Sequence, residues 1–392
     1  MKSVLVIGGG FGGLEAAIFL KKYNYDVTLV SDRDYFFIYP TSIWIPTREK
    51  EFDEICIDLA ELQRVHGFKL IVDALTHIDV KQNRYTLASG EILSSYDHVV
   101  LAMGASKLKH EGIEHTLSIC AEPEQSLKLR DSLDALIEKG SGKISFGFGA
   151  NPKDSSSVRG GPAFELLFNT HNLLKKKGIR DNFELSFFAP MSEPGKRMGE
   201  KALSMMDDFF KRLAIKQHFG KKIKLFKEDS VIFEDDSKLE SDLIMFIAAG
   251  SGHEVVQDSH LPKNEAGFVK IDEYCRVIFD EVPSNIYAIG DIAALEGPSW
   301  KAKQGHLAEI MARNVAFNIS QTDKGKASLK SYKKHINILC LMDSGDGASL
   351  IYRDDKKAYM IPLPFIGHYV KKLWGVYAKL SKLGKIPRIL GL

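Results

Sequence analysis

Residues 4–30 read VLVIGGGFGGLEAAIFLKKYNYDVTLV, and the order of residue types in this stretch decides the fold. Residues 4–7 are an unbroken apolar run, as in a strand buried on both faces. Gly8-Gly9-Gly10-Phe11-Gly12-Gly13 follows, then residues 14–23 repeat apolar positions at helical spacing and residues 25–30 form a second strand. Gly8, Gly10 and Gly13 make a Gly-x-Gly-x-x-Gly pattern at the strand-to-helix turn. Missing side chains there allow a tight turn and let a pyrophosphate approach the free N–H groups of the helix. The stretch predicts a dinucleotide site bordered by Gly8, Gly10, Phe11, Gly12 and Gly13. An acid should close the second strand and grip the ribose. It comes one place late, so either Ser31 or Asp32 makes that contact.

Residues 3–20 are apolar enough to be weighed as a signal peptide or a membrane span. Five glycines and Glu15 inside them suit neither, so no cleavable signal is expected. Over 392 residues, 53 basic side chains meet 51 acidic ones and 44% are apolar, which excludes a disordered or fibrous chain and makes no case for nucleic acid. Four cysteines are too few for a disulfide framework, and 12 scattered histidines show no ligand spacing, so no metal site is expected.

Charge is uneven along the chain. Beyond Asp355 there is no acid and eight basic residues, Lys356, Lys357, Lys371, Lys372, Lys379, Lys382, Lys385 and Arg388, so the rest carries an acidic excess of six. Within residues 369–383, Tyr369, Leu373, Val376, Leu380 and Leu383 share one helix face. Lys371, Lys372, Lys379 and Lys382 lie opposite, with Trp374 and Tyr377 flanking. Such a helix, about 22 Å long, is too charged to span a bilayer. It is expected to lie on a membrane surface, its uncompensated cations drawn to anionic lipid.

Two further segments, YDHVVLAMGA (96–105) and NIYAIGD (285–291), resemble the Ala-Thr-Gly turn and the Gly-Asp flavin motif of two-dinucleotide-domain flavoproteins. In that family the Asp, here Asp291, contacts the ribityl chain of FAD, and the two segments bracket an inserted domain. The resemblance implies FAD as cofactor, with Gly104, Gly290 and Asp291 beside it. It also implies an α/β fold of two Rossmann-like FAD/NAD(P)-type domains. The FAD-binding domain takes residues 1–111 and 262–330, the inserted second domain 112–261. Residues 331–392 form a C-terminal region on the flavin and quinone side, with an amphipathic helical membrane anchor. In the inserted domain the glycine pattern reads Gly147-Phe148-Gly149-Ala150-Asn151-Pro152, and the second strand ends Ala189-Pro190 without an acid. A nicotinamide site there has been lost or rebuilt.

Three more stretches, DYFFIYPTSIWI (34–45), GPAFE (161–165) and AKQGHLAEIM (302–311), are similar to motifs of the sulfide:quinone oxidoreductases and the related flavocytochrome c sulfide dehydrogenases. The resemblance implies that Pro40 borders the flavin and that Lys303 stabilises the charge of the reduced flavin. Glu165 either relays a proton or simply suits a helix N-terminus. That family works with three cysteines. Cys120 resembles the one on the connecting segment, and Cys340 resembles the flavin-proximal one of a Cys-x-x-Asp-x-Gly segment. The middle one is missing, since Ser156-Ser157-Val158-Arg159-Gly160 precedes Gly161. Cys340 would then act alone, as a thiolate or persulfide supported by a cation such as Arg159, or with Cys120 as partner. Both could also be plain buried cysteines, as Cys56 and Cys275 are taken to be. Phe365, His368 and Tyr369 are expected to line an aromatic quinone channel.

These readings converge on a peripheral, monotopic inner-membrane flavoenzyme passing two electrons from sulfide or another reduced sulfur donor through FAD to quinone. Two alternatives stay open, a type II NADH:quinone oxidoreductase and a non-catalytic membrane-docked flavoprotein, and so does a homo-oligomer.

Overall fold

The computed structural model describes residues 1–280 and 282–389, so the last three residues of the C-terminal region lie outside the described ones. The chain opens with β1 (Ser3–Ile7), α1 (Phe11–Lys22), β2 (Asp26–Ser31), β3 (Lys69–Val72) and β4 (His98–Leu101). A second unit follows, with β5 (Gly142–Phe148), α2 (Gly161–Lys176), β6 (Phe183–Ala189), β7 (Ile215–Phe219) and β8 (Leu243–Ile247). The chain then returns through β9 (Arg276–Phe279), β10 (Val282–Ala288) and α3 (Gly305–Asp323). It ends in β11 (Ile338–Asp343), β12 (Gly347–Arg353), β13 (Ala358–Pro364) and α4 (Ile366–Lys382).

The first sheet has the order β9-β10-β4-β1-β2-β3, so strands from before and after the second unit sit side by side. β1 is parallel to both β2 and β4, with Ile7 opposite Val30 and Leu101, and Ala288 of β10 lies opposite Leu101. This register brings the carboxyl ends of four strands level. The glycine turn, Ser31, Gly104 and the Gly290-Asp291 turn therefore gather at one sheet edge, where open parallel sheets bind their ligands. The second sheet, β7-β6-β5-β8, is parallel throughout. Its core is aromatic, with Phe164 of α2 stacked on Phe187 at 4.6 Å between ring centroids. β11, β12 and β13 form an antiparallel sheet against which α4 packs.

The C-terminal helix corrects the expectation about its charges. α4 has one apolar and one charged face, but the charged face is turned inward. Phe365, Ile366, Tyr369, Val370, Leu373 and Val376 are exposed, Leu373 to 67%, whereas His368, Lys371 and Lys382 are buried. Lys371 pairs with Glu165, Lys372 with Glu49 at 2.7 Å, and Lys382 with Glu15 and Glu309. Arg388 also meets Glu15, and Lys379 donates to the Glu54 carbonyl at 2.9 Å. Four acids on the surface beneath the helix would be stranded without these cations, and a stranded buried charge costs more than an exposed leucine. Half of the tail's eight cations, Lys371, Lys372, Lys382 and Arg388, are thus neutralised by the protein's own acids, Lys379 caps a carbonyl, and Lys356, Lys357 and Lys385 are left at the surface. Among the described residues no helix is long and apolar enough to cross a membrane.

Candidate active site

The cofactor end is built by close packing around glycine. Gly8 has φ +113°, and a Cβ on it would strike the Ala102 carbonyl; one on Gly13 would strike the carbonyl of Gly8. Around Gly10, by contrast, no heavy atom lies within 4 Å of where a Cβ would be. Gly10 precedes α1 without a side-chain cap, so first-turn N–H groups face that open cradle, as a pyrophosphate requires. These residues fit FAD. Phe11 begins α1 and packs edge-on to Phe36 at 5.0 Å, and Gly12 is buried against Ile289. Ser31 is buried with its hydroxyl beneath Gly9, while Asp32 points to solvent and sits 3.6 Å from Arg33. Of the two ribose candidates, the structure brings only Ser31 to the turn.

Pro40 opens a short 3-10 helix, Tyr39–Trp44, that packs against α2 and α4. Gly104 and Gly290 take positive φ angles of +80° and +71°, which the turns after β4 and β10 need. Lys303 is buried. Its ammonium donates to the Ala293 carbonyl and lies 3.9 Å from the centre of the Phe268 ring. Burial pushes its pKa down to about 7, so in this setting the amine titrates near neutrality.

The two thiols lie around one buried carboxylate, and all four cysteines are free. Glu165, on the first turns of α2, accepts from the Asp343 N–H at 2.8 Å and pairs with Lys371. Cys340 on β11 and Cys120 both feel its charge. Burial, reinforced by Glu165, pushes the Cys340 thiol up to about 12. The expected thiolate supported by Arg159 is therefore corrected: Arg159 reaches Cys120 and Asp291 instead. Burial also raises the Glu165 carboxyl against the pull of Lys371, which fits a proton acceptor better than a bare macrodipole partner.

Phe365, His368 and Tyr369 do not line one channel. Phe365 and Tyr369 are 78% and 66% exposed on the outer face, while His368 points inward. Its Nδ1 lies 2.7 Å from Asp343 and its Nε2 2.9 Å from Glu49. Burial opposes the imidazolium, but the two carboxylates win and raise its pKa to about 9. A pKa raised on folding contributes stability fully present below pH 6.5 and lost as pH rises through about 9. The flavin-loaded protein should lose up to about 3 kcal/mol from this group across that window. Thermal melts at saturating FAD would show it, and in His368→Gln the alkaline decline should flatten.

Sequence reasoning missed Glu49, Asp343 and Lys371 as members of this network. Asp343 stands in the Cys-x-x-Asp segment, and Lys371 follows His368 by three residues on one helix face, so both had a signal. Glu49 had none, because its partners His368, Lys372 and Lys176 all lie more than 100 residues away.

At the carboxyl ends of the second sheet lies a cavity of about 290 Å³ lined by Phe148, Phe164, Met191 and Met198, with Arg197 at its rim. The Arg197 guanidinium is spent on the Ser155 and Val158 carbonyls. Among the described residues no group of three or more metal-type ligands comes together.

A sheet edge that gathers a glycine cradle and a Gly-Asp turn is the cofactor end of a flavoprotein, and the family profile for pyridine nucleotide-disulphide oxidoreductases matches residues 2–312. The chain belongs to that family and is a flavin-dependent oxidoreductase with FAD as its cofactor. It is similar to the sulfide-quinone reductase of Aquifex aeolicus (strain VF5), 28% identical over 374 residues, covering 90% of this chain and 84% of that one. The type II NADH:quinone oxidoreductase of Haemophilus influenzae is 24% identical over 378 residues, covering 85% and 83%. The solved sulfide:quinone oxidoreductase of Aquifex aeolicus superposes with a TM-score of 0.87 at 24% identity over 98% of this chain and 92% of that one. NDH2 from Plasmodium falciparum gives 0.77 at 14% identity, covering 98% and 96%.

Proposed function

We propose that this enzyme takes two electrons from a reduced sulfur donor, sulfide first among them, and passes them through FAD to quinone at a membrane surface. The observation that carries the reading is that Cys120 and Cys340 both lie under the charge of the buried carboxylate Glu165. Hydrosulfide and the Cys340 thiol together yield a persulfide, one proton and two electrons. FAD, which the glycine cradle after β1 would hold, would supply the two-electron acceptor between this thiol and quinone. Glu165 takes the proton, its raised pKa matched to that task, and Lys371 holds the carboxylate in place. A nicotinamide donor finds less support, because the glycine pattern of the second unit is broken, with Pro152 where the third glycine belongs and no acid at the end of β6. Anaerobic mixing of the yellow protein with sulfide or, separately, with NADH tests this. Sulfide should bleach the flavin and NADH should not; the reverse result would sink the sulfur reading.

The exposed face of α4 is the membrane contact in this reading. Six apolar side chains from Phe365 to Val376 stand in water while the cations beneath are paired, the arrangement expected of a helix whose outer side is immersed in lipid. Binding should then depend on apolar burial rather than on lipid charge. Leu373→Asp with Val376→Asp should release the protein from liposomes, and the wild type should bind zwitterionic vesicles in high salt. Salt-reversible binding to anionic vesicles alone would return the contact to the surface lysines.

A further inference from the structure

In the stretch just before Gly161-Pro162, where the resemblance leads one to expect a thiol, this chain carries Arg159. Its guanidinium contacts the Asp291 carboxylate, and its charge acts on the Cys120 thiol. A second cation approaches from another element. Lys107 sits on the short strand Ser106–Lys107, which pairs with Gly250–Ser251, and it acts on both Arg159 and Cys120.

Two cations that act on one thiol also repel one another. Burial and Arg159 lower the Lys107 pKa to about 8, against a weaker pull from Cys120 and Glu122. Asp291 offsets part of this charge, and Glu165 acts on Cys120. An anion held between the cations would relieve the repulsion directly. Lys107 also borders a cavity of about 410 Å³, where Ser118, Gln125 and Lys128 supply donors and Glu114 is the one acid among the lining residues. A water-sized ion, about 30 Å³ in liquid, passes through such a space.

We propose that Lys107 and Arg159 form a binding site for a small sulfur monoanion beside Cys120, with the cavity at Lys107 as its entrance. The site rests on the sulfur-donor reading and gives it a recognition element: the donor arrives as an anion and is held by two fixed cations. A guanidinium and an ammonium suit this role differently. The planar fork can hold Asp291 and the ligand at once, while the ammonium adds charge from the cavity side.

Thiocyanate, a small sulfur monoanion that does not reduce flavin, is the probe. Its affinity for the oxidised, FAD-loaded protein would be measured by titration calorimetry, with flavin content checked by absorbance. Arg159→Met and Lys107→Met should each weaken binding tenfold or more, while Arg159→Lys, which keeps the charge and loses the fork, should fall between Arg159→Met and wild type. Lys107→Met keeps the test decisive should Arg159→Met lose FAD, since Lys107 does not touch Asp291. Equal affinity in wild type and Lys107→Met with FAD retained, or no binding by wild type at tens of millimolar, overturns the site. If thiocyanate binds through both cations while sulfide leaves the flavin yellow, the anion site stands and the donor reading falls. If sulfide bleaches the flavin while thiocyanate affinity is indifferent to both cations, the donor reading stands and the anion site falls.

Discussion

Cys340→Ser should abolish sulfide-dependent bleaching of the flavin, a loss on the order of 10³-fold or more, as when a covalent nucleophile is removed. The thiol sits on β11 at the wall formed with α2 and α4, with a pKa pushed to about 12 by burial and Glu165. It is protonated at rest and needs a base, and Glu165 is the carboxylate that acts on it. A serine hydroxyl fits the same space but cannot carry sulfane sulfur. The variant should therefore keep its fold and its FAD while losing the reaction. Cys56→Ser, far from Glu165, serves as the control and should react at the wild-type rate. Anaerobic stopped-flow absorbance reads all three proteins, and an unimpaired Cys340→Ser would remove thiol chemistry from the mechanism.

The second large effect is on stability. Lys382 is 2% exposed and joins Glu15 of α1 to Glu309 of α3, with Arg313 2.6 Å from the same Glu15. Lys382→Ala leaves Glu309 buried without this partner, and breaking a buried pair from one side costs about 3–5 kcal/mol. Urea unfolding at saturating FAD should show that loss, whereas Lys385→Ala at the surface should stay within about 0.5 kcal/mol of wild type. Lys382→Met combined with Glu309→Leu should recover much of the deficit, because apolar replacement of a buried pair is often neutral. A Lys382→Ala protein as stable as wild type would mean that the pair is not closed in solution.

The cofactor end was readable from residue order alone, because glycines at fixed offsets answer to local geometry. Gly8 and Gly13 are required by contacts within a few residues or across one strand pair, and such constraints leave a pattern. The inward face of α4 was not readable. His368, Lys371, Gly375, Ala378 and Lys382 recur at spacings of three and four just as Tyr369, Leu373, Val376 and Leu380 do. Helical period shows that two faces differ without saying which one meets the body. The choice was made by Glu15, Glu49, Glu165 and Glu309, whose positions relative to the tail exist only in the folded chain. Arg159 failed for the same reason: its neighbours Cys120 and Asp291 lie 39 and 132 residues away in sequence. Ser31 and Asp32 differ by one position, and the alternation of a strand decides between them only once its end is known.

The interleaving of the two sheets has a consequence for how the protein is made. β5 to β8 are contiguous within residues 142–247 and can close their own sheet as soon as that segment leaves the ribosome. β4 has no such freedom, because its outer partner β10 arrives only with residues 282–288. Nascent β1-β2-β4 thus waits with an open hydrogen-bonding edge while nearly two hundred further residues are translated, and the Gly290-Asp291 turn follows last. The cofactor site is complete only once that turn has joined the sheet. Scarcity of flavin would then act on folding yield before it acts on catalysis.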